Sequence, residues 1–300
     1  MLSLAQIGSF HDTGFLVVPG FFTDVELAAV SGAYDAAWTS PATDVVVDSI
    51  ATGRRFRISD ATDVERLAPA KVNDLYLVDH LIRDVALSER LGTILRELFG
   101  EDPVLCNTLS VAQGTQQADH LDTLFMTPKT PGRLIATWMA LEDVDPDAGP
   151  LRFFPESNHI APYRFADGGY HARDSEMEQW SDYMAGEVER FGLADTLFVG
   201  KRGDLFIWDA WLLHGGSQIC EMGLTRKSMI SHYFTASDCK LRGLESRLKP
   251  TPGGWWLERT PAPLEGDALA QRAVVRIPPP APSPELDLRE RLDQLTVDHP

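Results

Sequence analysis

Two histidines and one aspartate have the residue types and the order of a metal-binding set. His120 and Asp122 are separated by one residue, and His214 follows near the end of a later strand-like segment. If the segment 120–126 is a strand, its period of two places His120 and Asp122 on the same face. Two imidazoles and one carboxylate on one face of a metal leave coordination positions open, a ligand set typical of non-haem Fe(II) oxygenases.

A His-x-Asp tripeptide alone is weak evidence, because it also occurs among ordinary surface or core residues. A second feature is Arg226, twelve positions after His214 in another strand-like segment. A guanidinium binds a carboxylate with two hydrogen bonds, as the distal end of 2-oxoglutarate requires. Taken alone, Arg226 is better explained by a surface salt bridge, so the prediction depends on the whole set.

The segments that carry these residues predict a mainly β fold with flanking helices. Short strand-like runs divided by Gly, Pro and Asp indicate a double-sheet sandwich or barrel, with strands near 15–18, 104–112, 120–126, 133–141, 151–154, 203–208 and 228–235. One helix is predicted over 4–11. A second begins after Thr23, which forms a capping box with Glu26, and a third covers 88–99 and stops at Gly100. Residues 39–63 are expected to be irregular.

The composition is that of a soluble globular protein, with 44% hydrophobic and 24% charged residues among 300. A net charge of −17 disfavours binding to nucleic acid or anionic membranes, because both depend on clustered Lys and Arg. Neither is therefore expected as a partner, and the sequence does not indicate an oligomeric state.

The three cysteines are far apart and form no CxxC pair, so neither a disulfide framework nor a thiolate zinc site is indicated. Cys106, Cys220 and Cys239 are each expected to be small buried residues. The first residues lack the pattern of a signal peptide, and no apolar run reaches the length of a membrane span. A reducing, cytoplasmic setting is expected.

Taken together, the motifs resemble the phytanoyl-CoA dioxygenase superfamily of Fe(II)/2-oxoglutarate oxygenases. The resemblance covers about residues 10–235, in the family's order, through the segments GFLVVPGFF, HLD, TWMALEDVDPDAGPLRFFPESNH, GDLFIWDAWLLHGGS and RKSMISHYF. It implies a double-stranded β-helix (a jelly-roll, cupin-like core) with helices packed along one side. It also implies that His120, Asp122 and His214 bind Fe(II) and that Arg226 binds a carboxylate of 2-oxoglutarate.

The activity implied by this resemblance is hydroxylation of an unactivated C–H bond in a small metabolite or natural-product intermediate, with O₂ as co-substrate and release of succinate and CO₂. Some relatives that halogenate have a small residue in place of the carboxylate ligand. The presence of Asp122 therefore favours oxygen insertion. Two alternatives are a differently metallated cupin-like hydrolase or isomerase and a non-catalytic ligand-binding scaffold.

Further residues are weaker candidates for the same site. By resemblance, Asn107 or Gln117 hydrogen-bonds the other end of 2-oxoglutarate, although a buried structural amide explains either. Trp208, together with Trp138, is a candidate wall of the cofactor pocket, and Ser228 is a candidate contact of the carboxylate.

Two histidines outside the triad have different expected roles. His232 lies six residues after Arg226, on the same strand face, and is expected to border the site. His159 is expected to be structural.

We expect one oxygenase domain over 1–300. Its expected parts are an N-terminal support over 1–102, a jelly-roll core over 103–240 with an insert over 166–192 that is a candidate lid, and a C-terminal extension over 241–300. The proline-rich tail from Arg276 is expected to be a linker and a short docking helix. Substrate selectivity is expected to depend on the N-terminal helices, the 39–63 segment and the insert. Arg54, Arg55 and Arg57 form a basic cluster there that is a candidate anion site.

Overall fold

A computed structural model describes residues 1–40, 45–50, 52–261 and 263–264. Thirteen strands lie within these ranges: β1 Phe15–Val18, β2 Val46–Ser49, β3 Arg55–Arg57, β4 Ala70–Asn73, β5 Pro103–Val111, β6 Leu134–Ala140, β7 Leu151–Phe153, β8 Thr196–Phe198, β9 Leu205–Asp209, β10 His214–Gly216, β11 Ser228–Thr235, β12 Leu248–Thr251 and β13 Gly254–Leu257. The helices are α1 Leu4–Thr13, α2 Asp24–Thr39, α3 Asp63–Leu67, α4 His80–Ala86, α5 Glu89–Phe99, α6 Met177–Phe191 and α7 Ala236–Leu241.

The strands form two sheets. In the described part of the chain, the larger sheet follows the order β1-β9-β6-β11-β5-β4-β2-β3, and β13 joins it by pairing with β5 and with β12. The smaller sheet has the order β10-β7-β8. Apart from the parallel β13–β5 contact, the pairs are antiparallel. The predicted mainly β fold with flanking helices, a double-stranded β-helix, is confirmed.

The N-terminal elements follow from local sequence signals. Ser3 and Thr23 cap α1 and α2, each in a reciprocal capping box. Gly14 ends α1 in a left-handed conformation with φ of 82°, after which β1 pairs with β9. Gly100 ends α5 in the same way, as predicted.

Three expectations are corrected by the structure. The described part of 39–63 is not irregular, because β2 and β3 lie there and pair with each other, and β2 also pairs with β4. Cys220 is exposed, whereas Cys106 and Cys239 are buried as expected, and all three thiols are free. The candidate strand over 120–126 is instead a single bridge residue, His120, followed by a 3₁₀ turn over Asp122–Leu124.

The insert contains α6, whose apolar side packs on the segment that carries the predicted metal ligands. Trp180, Met184 and Val188 share a hydrophobic cluster with Leu121 and Leu213, which adjoin His120 and His214. The predicted tail from Arg276 lies outside the described residues. No helix within the described ranges is long and apolar enough to cross a membrane.

Helix α5 approaches the turn between β12 and β13 so closely that no side chain fits between them. A Cβ added at Gly92 would lie 2.0 Å from the carbonyl oxygen of Gly253. We expect Gly92→Ala to lower the free energy of unfolding by about 1–3 kcal/mol, because backbone must shift to admit the methyl group. Chemical denaturation would measure this change.

Gly32→Ala in α2 is the matched control, because a Cβ there has no neighbour within 4 Å. It is expected to leave stability unchanged or to raise it by up to about 1 kcal/mol, since alanine favours a helix over glycine. Equal effects of the two substitutions would show that the α5 contact does not constrain position 92.

Candidate active site

The three predicted metal ligands meet at one point between the two sheets. The Nε2 atoms of His120 and His214 lie 3.8 and 3.7 Å from Oδ1 of Asp122. One ligand atom from each residue can be chosen so that all lie within 4.8 Å of one another. All three side chains are buried. This cluster has the composition and spacing to hold one metal ion.

A backbone bridge holds the two histidines side by side. The His120 N–H donates to the carbonyl of His214 at 2.8 Å, and the His214 N–H donates back at 3.1 Å. The chain then turns, with the Phe125 N–H donating to the Asp122 carbonyl at 3.0 Å. His120 and Asp122 therefore converge because a 3₁₀ turn follows the bridge, and not through the period of a strand.

Hydrogen bonds on the far side of each ring orient the imidazoles. Nδ1 of His120 lies 2.8 Å from the Ala118 carbonyl oxygen, and Nδ1 of His214 lies 2.9 Å from that of Leu212. A carbonyl oxygen only accepts, so each Nδ1 carries the proton and each Nε2 directs a lone pair at the cluster. Burial and the neighbouring His214 lower the pKa of His120 to about 3, which keeps this imidazole neutral as a metal ligand must be.

Trp208 on β9 orients the carboxylate ligand. Its indole Nε1 donates to Oδ2 of Asp122 at 2.8 Å, which leaves Oδ1 facing the histidines. Burial would raise the pKa of Asp122, but His214 and His232 hold this pKa below its ordinary value. Trp208 was predicted as a cavity wall, and the structure adds this contact with the carboxylate.

A cavity of about 380 Å³ opens beside the cluster and is bounded by both sheets. Arg226 lies on its wall with only 3% of its surface exposed, so the alternative of a surface salt bridge does not describe it. Its Nε atom is buried and has no hydrogen-bond partner within the described residues. Burial lowers the pKa of Arg226 to about 10, so the guanidinium remains a cation at neutral pH.

Lys71 on β4 is a second buried cation on the same wall. Its Nζ donates to Oε1 of Gln117 at 2.5 Å, and Nε2 of Gln117 lies 3.3 Å from Nε2 of His120. Burial lowers the pKa of Lys71 to about 8. The prediction missed Lys71, although the alternation of apolar and polar residues in 70–73 is a strand signal.

Most of the other predicted site residues line the cavity, but one does not. Asn107, Gln117 and Trp138 line the cavity, as does His232, whose Nε2 lies 3.5 Å from Oδ1 of Asp122. Ser228 differs from its expectation, because it is fully buried outside the cavity lining and its hydroxyl donates to the Arg226 carbonyl at 3.5 Å.

His159 also lies outside the cavity lining, and its ring hydrogen-bonds the Asp12 carbonyl at 2.8 Å. This contact ties the turn that carries His159 to the end of α1 and is consistent with the structural role expected for it.

Sequence reasoning missed a polar group of cavity residues, namely Asp48, Asn73, Asp74 and Arg259. Of the predicted basic cluster, Arg55 reaches the cavity but is held by Asp48, while Arg54 pairs with Glu65 at 2.6 Å. The pairing of Arg55 with Asp48 depends on the register of β2 with β3, which local sequence does not give.

The fold and the site define a class of proteins: double-stranded β-helices with a buried set of two histidines and one carboxylate beside a cavity. The chain belongs to the phytanoyl-CoA dioxygenase (PhyH) family, whose model matches residues 10–220. A curated relative, phytanoyl-CoA dioxygenase domain-containing protein 1 from Bos taurus, is 24% identical over 191 residues. That match covers 52% of this chain and 66% of the relative, just under two thirds of its length.

Solved structures share the fold at low sequence identity. The non-haem alpha ketoglutarate dependent carbocyclase SnoK from nogalamycin biosynthesis has a TM-score of 0.58 and 17% identity, covering 89% of this chain and 94% of its own. EctD from S. alaskensis, solved with 2-oxoglutarate and 5-hydroxyectoine, has a TM-score of 0.57 and 17% identity, covering 79% and 77%. The epimerase SnoN, solved with Fe3+, alpha ketoglutarate and nogalamycin RO, has a TM-score of 0.56 and 19% identity, covering 77% and 82%.

Proposed function

We propose that this protein is an Fe(II)/2-oxoglutarate-dependent oxygenase that hydroxylates a C–H bond of a small molecule. The observation that carries the proposal is the convergence of His120, Asp122 and His214 beside a cavity whose wall holds the unpaired guanidinium nitrogen of Arg226. Family membership and the 2-oxoglutarate (alpha ketoglutarate) bound in two of the structural neighbours support it.

The residues fit the metal and the co-substrate. Two neutral imidazoles and a carboxylate suit Fe(II) and leave coordination positions open. Arg226 and Lys71 are two buried cations on one cavity wall, and 2-oxoglutarate is a dianion with a carboxylate at each end. Arg226 would hold the distal carboxylate through its forked N–H donors, with Lys71 supplying a second positive charge.

When bound, iron and 2-oxoglutarate use O₂ to form succinate and CO₂ and to replace a substrate hydrogen by a hydroxyl group. The protein's own contribution is positioning. The Ala118 and Leu212 carbonyls fix the two imidazoles, and Trp208 fixes the carboxylate. Burial of the cluster excludes water, which strengthens each of these interactions.

The first test is an anaerobic titration of the metal-free protein with Fe(II) and 2-oxoglutarate, following their visible charge-transfer absorption. Oxygen is then admitted and succinate is measured. We expect the absorption band and O₂-dependent succinate, with a substrate product heavier by one oxygen atom. Iron binding without the band would favour the metal-dependent hydrolase or isomerase, or the scaffold. A product without added oxygen would refute hydroxylation but not the cofactor assignment.

Trp208→Phe is expected to weaken Fe(II) binding by about 10- to 100-fold, because partners that orient a ligand typically contribute this much to metal affinity. Competition with a coloured Fe(II) chelator would measure the change. Trp138→Phe is the matched control, because this neighbouring buried indole N–H has no partner within the described residues. Equal losses in both variants would assign the effect to packing rather than to the bond with Asp122.

The affinity for 2-oxoglutarate is expected to fall as the pH rises through about 8, because Lys71 then loses its charge. Below this pKa the Lys71 side chain is a charged ammonium that attracts the dianion, and above it the side chain is neutral. Anaerobic titrations from about pH 7 to about pH 9 would show the fall, and Lys71→Gln should flatten it. A profile that is unchanged in Lys71→Gln would assign the dependence to another group.

A further inference from the structure

The larger sheet carries an extension, formed by β4, β2 and β3, that bounds the cavity beyond β5. In this extension Asp48 lies opposite both Arg55 and Lys71, and Asn73 lies opposite Leu109 of β5. All five side chains line the cavity, and Asp48 and Asn73 are more than nine-tenths buried. This extension wall therefore presents polar groups to whatever occupies the cavity beside the metal cluster.

The guanidinium groups on this side of the cavity are already neutralised. Arg55 donates to both oxygens of Asp48, from Nε at 2.6 Å and from Nη2 at 3.0 Å. Arg259, which follows β13, donates from Nη2 to Asp74 at 2.6 Å. Bidentate and charge-assisted pairs of this kind are the strong ones, so neither arginine is a ready partner for an anionic ligand.

Apart from Lys71, which is assigned above to 2-oxoglutarate, the remaining hydrogen-bonding capacity of the extension wall is that of an acceptor. Asp48 accepts two bonds from Arg55 and one from Asn73 at 3.2 Å, whereas a carboxylate can accept about four. The Asn73 amide nitrogen donates to Asp48 and to the carbonyls of Val46 and Lys71. Its Oδ1 receives no donor from the described residues.

A chain of hydrogen bonds links this side of the cavity to the metal cluster. Asp74 accepts from Nδ2 of Asn107 at 2.9 Å, which directs the amide oxygen of Asn107 toward Nδ1 of His232, also at 2.9 Å. That oxygen only accepts, so Nδ1 of His232 carries a proton. Nε2 of His232 faces the cavity 3.5 Å from Oδ1 of Asp122, which is itself an acceptor in the metal cluster.

We infer that the substrate is a small uncharged or cationic molecule with several hydroxyl or amino groups, which donates hydrogen bonds to Asp48 and Asn73. This inference rests on the proposed function. An alkyl chain in the same place would leave these buried acceptors unpaired. A phosphorylated compound or an acyl-CoA thioester would bring negative charge to a wall without a free guanidinium. The cavity of about 380 Å³ must also hold 2-oxoglutarate, which limits the substrate to a small molecule.

The test compares four probes on the full chain loaded with Zn(II), a diamagnetic substitute for iron, and 2-oxoglutarate. The probes are glucose, glucosamine, glucose 6-phosphate and cyclohexanol, and saturation-transfer NMR measures their binding. Glucose and glucosamine are expected to bind in the millimolar range, about tenfold more tightly than the phosphate or cyclohexanol, as one charge-assisted hydrogen bond would give. Tighter binding of cyclohexanol or of the phosphate, or no binding of the two sugars, would overturn the inference.

Asp48→Asn provides a gain-of-binding test that does not depend on loss of function. Removing the negative charge leaves Arg55 unneutralised, so glucose 6-phosphate is expected to become the preferred probe. Asp102→Asn is the matched control, because Asp102 pairs with Arg96 at 2.6 Å but lies outside the cavity lining. An unchanged preference in Asp48→Asn, or the same switch in Asp102→Asn, would contradict the inference.

The anaerobic Fe(II)/2-oxoglutarate band separates the two levels of proposal. A sample that shows the band but binds neither sugar refutes the substrate class alone. A sample that lacks the band refutes the oxygenase itself.

Discussion

Asp122→Ala is expected to lower O₂-dependent succinate formation by more than about 100-fold, because loss of a direct ligand should exceed the loss caused by its outer partners. The two histidines would remain joined by their backbone bridge, but the anionic oxygen between them would be absent. Succinate formation and Fe(II) affinity would be measured on the same preparation.

The Asp122→Ala variant is expected to keep its fold, because hydrophobic packing and the His120–His214 backbone bridge hold this region without the carboxylate. His159→Ala is the control, since this histidine bonds the Asp12 carbonyl outside the cavity lining. Full activity in Asp122→Ala would show that the metal set is assigned wrongly. Thermal unfolding at the wild-type temperature would show that lost activity does not reflect a lost fold.

Arg226→Gln is expected to raise the dissociation constant of 2-oxoglutarate by about 100-fold, because two charge-assisted hydrogen bonds to one carboxylate are lost. Arg226→Lys should fall between this variant and the wild type, since lysine retains the charge but not the fork of donors. Anaerobic titration of the charge-transfer band would give all three constants.

Although Arg226→Gln should weaken 2-oxoglutarate binding, it should not lower the stability of the metal-free protein. The guanidinium is buried with Nε unpaired, so its removal is expected to leave the melting temperature unchanged or to raise it. A lower melting temperature with unchanged 2-oxoglutarate affinity would mean that Arg226 is structural. The opposing signs thus separate a binding residue from a packing residue.

Elements with local signals were predicted well from the sequence. The capping box at Thr23 and the left-handed glycine at 100 mark helix ends through contacts within a few residues. Strand β11 coincides with the predicted 228–235 because an apolar, β-prone run is bounded by clear breaks. Such elements depend little on the rest of the chain.

The parts of the site that were missed depend on distant pairing. The segment 120–126 was predicted as a strand, but the bridge to His214, which holds His120 in place, connects positions far apart in the chain. Strands β2 and β3 are short, and only their register with each other and with β4 places Asp48 between Arg55 and Lys71. The position of Arg226 in the motif pattern identified it, whereas its burial could be seen only in the structure.

The extension β4-β2-β3 also bears on how such an enzyme diversifies. Its cavity residues come from positions 46–73, whereas the metal set and Arg226 come from 120–226. The first stretch joins the core sheet where β4 pairs with β5, and its Lys71 also donates to Gln117. Selection, or a laboratory exchange of the 46–73 segment between relatives that keeps Lys71, can therefore change ligand preference while the residues of the oxidising centre stay the same, so that one reaction is inherited with new substrates.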